Sequence, residues 1–256
     1  MARTLATGAN YLDGGSSQYL EALTTASFAF WIYPISNTDG RIVSKWGSSA
    51  GNASFWINVI DNDEIDFLAV REGFAQRKSS GANFATSTWA HVVITFTAGN
   101  PVAIAFYKNG TSQTVTTVIN QQVSSLQGGS GTNLQIGYET NEAVNSTSAN
   151  IAEFAVWNRI LSAEEITGLS VGFSPIFYKN GLLDYVDLIR GDGSGNERSV
   201  VNGGSVFTKT GTIAVVDHPK MIYPVLPRIR RWTASAAATG WGRLLAARRN
   251  RLIVVQ

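Results

Sequence analysis

Seven short runs of aromatic and β-branched residues constrain this chain more than any other feature. They are SFAFWIYP (27–34), ASFWINVI (53–60), EIDFLAV (64–70), WAHVVITF (89–96), VAIAFYKNG (102–110), NLQIGY (133–138) and NIAEFAVWN (150–158). Turn-forming residues bound each run, so each reads as a β-strand. With many short strands and no alternation of strand and helix, the pattern predicts an all-β, antiparallel two-sheet jelly-roll sandwich with one short helix and a C-terminal extension.

Alternation within the runs fits two packed sheets. Phe28, Phe30 and Ile32 share one strand face, with Trp31 and Tyr33 on the other, and Val92, Ile94 and Phe96 form a second apolar face. Asn109-Gly110 predicts a two-residue hairpin, because a type I′ turn needs positive φ at both central positions. In LSAEEITGL, Ser162 and Glu165 have the spacing of a capping box, and Gly168 is available near the far end of the helix they predict. The carboxylate-rich DNDE (61–64) lies between two predicted strands and reads as a turn.

Composition removes several chemistries. The 256 residues contain no Cys, which excludes disulfides, thiolate metal sites and thiol catalysis. Two His, His91 and His218, leave little material for a Ser/His triad or a His-rich metal centre. The start MARTLATGANYLDGG lacks the apolar stretch of a secretory signal, and no run reaches the ~18–20 apolar residues that span a bilayer, so neither export nor a membrane is expected. Charge is unevenly distributed. Residues 1–217 carry 12 Lys and Arg against all 18 Asp and Glu, a net of −6, whereas 218–256 carry Lys220, seven Arg and no acid, a net of +8. The expected division is a jelly roll over 1–218 and an Arg-rich arm over 219–256.

The order of ANYLDGGSSQYLE, TTASFAFWIYP, GRIVSKWG, FWINVI, WAHVVITF, IAFYKNGTSQ, LQIGY and ANIAEFAVWNRILSAEEITGL, over about residues 9–169, resembles the laminin-G-like or concanavalin-A-like jelly roll in its bacterial and bacteriophage form. The unit YVDLIRGDGSGNERSVVNGGSVFTKTG (185–211) resembles the strands that open such domains, yet here it follows the helix. The resemblance therefore implies a circular permutation in which 182–217 supplies strands that usually come first, which surface termini allow. Its ending also resembles phage proteins, which implies a virion component made in the host cytoplasm. The same fold carries carbohydrate-binding modules, glycoside hydrolases and calcium sites at the sandwich rim.

Asp61, Asp63, Glu64 and Asp66 are the candidate glycosidase carboxylates, since Glu-x-Asp-x-Glu along one strand of a jelly-roll glucanase places its acids on one face. Leu68 occupies the place of the third acid, and the turn reading is preferred. In DGSGNE (192–197), Asp192, Ser194 and Asn196 alternate like the start of a calcium loop, but Glu197 and Gly203 break the full pattern. A Gly-rich turn is preferred, and Asp192 is kept as a metal candidate with calcium as the possible ion. His91 reads as a satisfied structural residue and Glu153 as a hydrogen-bonding residue on a strand face. Trp31, Trp56 and Trp157 sit in strands where packing is the default, whereas Trp46 beside GSSAGN reads as a loop Trp able to stack on a sugar.

The tail (224–256) has three readings: a basic nucleic-acid arm, a strand at LIVVQ added to a neighbouring sheet, or a short helix at WGRLLAARRN. A subunit-docking arm is favoured, using Arg228, Arg230, Arg231, Trp232, Trp241, Arg243, Arg248, Arg249 and Arg251 against the acidic body of another copy or another virion protein. The resulting expectation is a non-enzymatic virion structural protein, a capsid decoration or fibre-type component that self-associates and needs no cofactor. A lectin-like adsorption module that binds surface glycans is the alternative, and a glycoside hydrolase ranks third.

Overall fold

Apolar alternation in the strands is what sorts the chain into two layers. The computed structural model describes residues 2–5, 10–36, 39–47, 53–60, 64–80, 84–127, 132–139, 148–189 and 196–224. In chain order the strands are β1 (Ala2–Leu5), β2 (Tyr11–Asp13), β3 (Thr25–Pro34), β4 (Gly40–Lys45), β5 (Phe55–Ile60), β6 (Glu64–Arg71), β7 (Gly73–Ser80), β8 (Ala90–Thr97) and β9 (Ala103–Lys108). There follow β10 (Thr111–Ser112), β11 (Thr114–Asn120), β12 (Leu134–Ile136), β13 (Ala149–Trp157), the helix α1 (Ala163–Ser170), β14 (Leu182–Val186), β15 (Glu197–Arg198), β16 (Val206–Thr210) and β17 (Val215–Val216).

The first sheet has the order β10-β9-β8-β3-β13-β1-β17, with β14 also paired to β13. The second runs β11-β7-β6-β5-β4-β12-β2-β16-β15, and the strand pairings in both are antiparallel. Strands from 182–217 therefore complete both layers: β14 joins β13, β16 joins β2 and β17 joins β1. Contacts divide the chain into two compact units, Met1–Pro224 and Val225–Gln256. The second unit, with all nine candidate arm residues, lies outside the described residues, as do Asp61, Asp63 and Asp192.

Four phenylalanines lock the layers together. Phe28 and Phe96 of the first sheet meet Phe55 and Phe67 of the second, with ring centroids 4.8 Å apart for Phe28–Phe55 and 6.1 Å for Phe67–Phe96. All four are fully buried, as are Phe30, Ile32, Val92 and Ile94 on the predicted inward faces. Polar groups bridge the layers as well, since Arg3 of β1 donates from Nε to Glu197 Oε1 of β15 at 2.6 Å, both buried.

Local signals behave largely as their chemistry requires. Asn109 and Gly110 adopt φ of 49° and 79° between β9 and β10. Ser162 caps α1 and exchanges hydrogen bonds with Glu165. Gly168, expected near the helix end, stands in the last turn of α1, where a Cβ would collide with the Tyr178 hydroxyl. Gly172, with φ of 99°, follows the C-cap and takes the left-handed step that ends the helix. No helix among the described residues is long and apolar enough to cross a membrane.

Replacing Phe67 with Ala removes one of the four interlocking rings. It should lower unfolding stability by about 3–5 kcal/mol, read from urea denaturation.

Candidate functional site

Because side chains alternate along β4–β7, the residues opposite the core form one continuous outer face on the second sheet. The register aligns Arg41, Asn58, Asp66 and Lys78 across the four strands, and places Trp56, Leu68 and Gln76 in the next row. Their neighbours Ile57, Phe67 and Ala75 point into the core.

One end of this face is apolar. Ala53, Trp56, Leu68 and Val70 form a small cluster with half-buried Trp46 packed on it. The rings of Trp46 and Trp56 lie 6.4 Å apart at 59°, and the Arg41 guanidinium sits 4.6 Å from the Trp56 ring centroid. The other end is polar. Arg41 Nη1 donates to Asn58 Oδ1 at 2.7 Å, which fixes the amide and turns its N–H donors away. Gln76 Nε2 donates to Asp66 Oδ2, also at 2.7 Å.

Asp66 is the unusual member. It is only 2% exposed, and its Oδ1 has no hydrogen-bond partner among the described residues. Burial pushes its carboxyl up to about 6, against smaller downward pulls from Gln76, Lys78 and Arg41. A buried acceptor oxygen left unsatisfied costs about 1–3 kcal/mol. Within neighbouring strands the face thus brings two oriented amides and an aromatic edge beside a buried carboxylate and a buried guanidinium. Of these, Asp66 and Trp46 stand out in the sequence. Arg41, Asn58 and Gln76 do not, and only the cross-strand register brings them to Asp66.

The remaining candidates serve the fold. Glu64 lies on the same face of β6 as Asp66, opposite Ile60, and the pairing of β5 with β6 makes 61–63 their connection. Leu68, two residues beyond Asp66, is buried in the apolar cluster. His91 is fully buried against Trp31, with ring centroids 5.1 Å apart, so it is structural. It is not satisfied as expected, because its Nδ1 has no partner among the described residues, and desolvation lowers its pKa to about 3. Glu153 sits at a β-bulge of β13 with φ of 56°. It accepts from the hydroxyls of Tyr185 at 2.5 Å and Tyr223 at 2.7 Å, with His218 Nε2 2.9 Å away. It is a hydrogen-bonding residue as expected, and it holds the 218–223 segment. Trp157 is buried, whereas Trp31 is half-buried on the outer side of β3 and Trp56 packs outside the main core. Asn196 spends its Oδ1 on the Lys209 amide.

Comparison with known proteins agrees with this architecture. A family model described as the concanavalin A-like lectin/glucanases superfamily matches residues 7–167. No curated protein matches the sequence at a significant level. Among solved structures, a proposed carbohydrate-binding protein from Bacteroides ovatus is 15% identical with a TM-score of 0.64, the match covering 86% of this chain and 61% of that one. The CBM40 of a Ruminococcus gnavus IT-sialidase, bound to α2,3 sialyllactose, is 13% identical with a TM-score of 0.52 and coverages of 66% and 96%. A heptameric SAP-like pentraxin from Limulus polyphemus is 16% identical with a TM-score of 0.50, covering 66% and 81%. At these identities the likeness is one of fold, and the chain spans less than two thirds of the Bacteroides ovatus protein.

The raised Asp66 carboxyl has a pH signature. Its protonated form favours the native state below its unfolded value of ~3.9, and that contribution fades as pH rises through about 6. Asp66→Asn should therefore gain stability relative to the parent between about pH 4 and 7, by up to ~3 kcal/mol, in urea unfolding series across that range.

Proposed function

The chain belongs to the concanavalin A-like lectin/glucanases superfamily, and from that premise we propose that it is a non-catalytic glycan-binding module whose ligand rests on the outer face of β4–β7. The observation that carries this reading is Asp66, whose buried Oδ1 lacks a partner beside the oriented amides of Asn58 and Gln76. Sugar hydroxyls both donate and accept, and they are recognised by fixed carboxylates and amides next to an aromatic surface. Half-buried Trp46 supplies that surface.

Hydrolysis would need two carboxylates flanking the scissile bond. Leu68, packed into the apolar cluster, stands where a further acid of a Glu-x-Asp-x-Glu strand would be, which favours binding without cleavage. Calcium near Asp192 is proposed as an accessory, so binding is to be assayed with and without it.

A second reading rests on charge. Residues 225–256 carry seven Arg and no acid, while 1–224 carry 13 Lys and Arg against 18 Asp and Glu. That contrast favours the tail as an arm that docks onto the acidic body of another subunit, as in a component of a bacteriophage-like particle displaying its jelly roll outward. The placement of β14, β16 and β17 beside β13, β2 and β1 likewise favours a circularly permuted member of the family.

A glycan array probed with the full chain, with calcium and with chelator, tests the binding reading. We expect a saturable signal on a defined glycan class, weakened at least about tenfold by Asp66→Asn and by Trp46→Ala. No signal in either condition, or polysaccharide turnover abolished by Glu64→Gln, would contradict it.

A further inference from the structure

Of the three buried arginines among the described residues, two lie against acids and one does not. Arg3 pairs with Glu197, and Arg41 lies 3.7 Å from Glu139. Lys45 is buried against the carbonyls of Ser16 and Thr132, and desolvation lowers its pKa to about 8. Arg77 is the exception. It points toward the core side of β7, is 5% exposed, and desolvation alone perturbs its guanidinium, with no carboxylate opposing it.

Its bonds go to uncharged oxygens. Nη1 donates to the carbonyls of Gln76 and Ile119, and Nη2 to Val102 O at 3.3 Å and Asn120 Oδ1 at 2.6 Å. These satisfy four N–H groups without cancelling the charge, and a guanidinium does not shed its proton as a buried lysine can. Nε–H is left over. A charge held this far from water is ordinarily compensated by an opposite charge.

Arg77 also lies at the floor of an open cleft of about 420 Å³, lined by Thr95, Thr97, Ile104, Thr117 and Asn120 among others, with no carboxylate in the lining. The cleft runs along a bare sheet edge. β9 pairs with β8 along its length, but β10 covers only Tyr107 and Lys108 on the opposite side. The pairing of Asn109 N with His91 O fixes the alternation, so the backbone N–H of Ile104 faces this open side. A lone cation, hydroxyls, an amide and an edge N–H thus converge where acids are missing.

We propose that this cleft binds an oxyanion, the carboxylate or sulfate group of a ligand, with Arg77 supplying the charge and Ile104 N–H, Thr117 and Asn120 supplying hydrogen bonds. The cleft lies between the free edges of the two sheets, away from the outer face of β4–β7, so the two proposals stand or fall separately.

The full chain is titrated with sodium sulfate and, separately, with sodium acetate, each against sodium chloride at matched ionic strength. The readout is the NMR signals of Arg77 Nε–H and of the Ile104 and Asn120 amides. Saturable shifts with sulfate, acetate or both are expected, the stronger arm telling sulfate from carboxylate preference. Ala103→Glu, at an exposed lining position, sets a carboxylate at the cleft mouth and should weaken binding at least tenfold while leaving the fold intact. Arg77→Lys, if it folds, should weaken it too, by loss of the planar donor set. Shifts no larger than those with chloride, or binding unchanged in Ala103→Glu, would overturn the proposal.

Discussion

Interdigitation of Phe28 and Phe96 with Phe55 and Phe67 is the contact on which the remaining features depend. With no cysteine to cross-link the layers, the sandwich is held by the burial of such rings, each contributing about 1.5–3 kcal/mol. Their placement also sets the phase of every strand. Once Phe55 and Phe67 face inward, alternation turns Trp56, Asn58, Asp66 and Leu68 outward, and a slip of one residue would exchange the two sets. The outer-face cluster is thus a consequence of the core register.

That face departs from a simple solvated surface. Trp56, Leu68 and Val70 are nearly as buried as core residues, because Trp46 and Ala53 lie over them. Asp66 is buried at the polar margin of this apolar patch, which raises its pKa and leaves one oxygen without a partner. Arg77, one strand away but on the inward side of β7, shows the opposite imbalance, a cation held among neutral acceptors at the sandwich margin. Polar groups kept imperfectly compensated carry a cost that stability alone does not repay, and both are set where a ligand would reduce that cost.

Much of this architecture is legible in the residues, for identifiable reasons. The runs around Phe28, Phe55, Phe67 and Phe96 announce themselves because they are aromatic, β-branched and bounded by turn formers. The capping box at Ser162 and the turn at Asn109-Gly110 are local signals and hold locally. The edge strand β11 (TVTTVIN) and its neighbour β7 (GFAQRKSS) are harder to read, since strands with a solvated face lack the apolar density that marks the others. Gly168 lies near the helix end as expected, and its small size also admits the close approach of Tyr178. The site is only half visible: Asp66 and Trp46 stand out by type and context, but Arg41, Asn58 and Gln76 join them through pairings that no local pattern encodes.

The measurement that bears most directly on the central claim is a backbone and indole NMR perturbation map of the full chain, recorded with a soluble oligosaccharide that it retains. Recognition on the outer face of the second sheet predicts saturable shifts at the Trp46 indole and at the amides of Asn58, Asp66 and Gln76, with the inward-facing positions of β3 and β8 unchanged. Shifts confined to the 192–197 segment, or spread over neither, would contradict it.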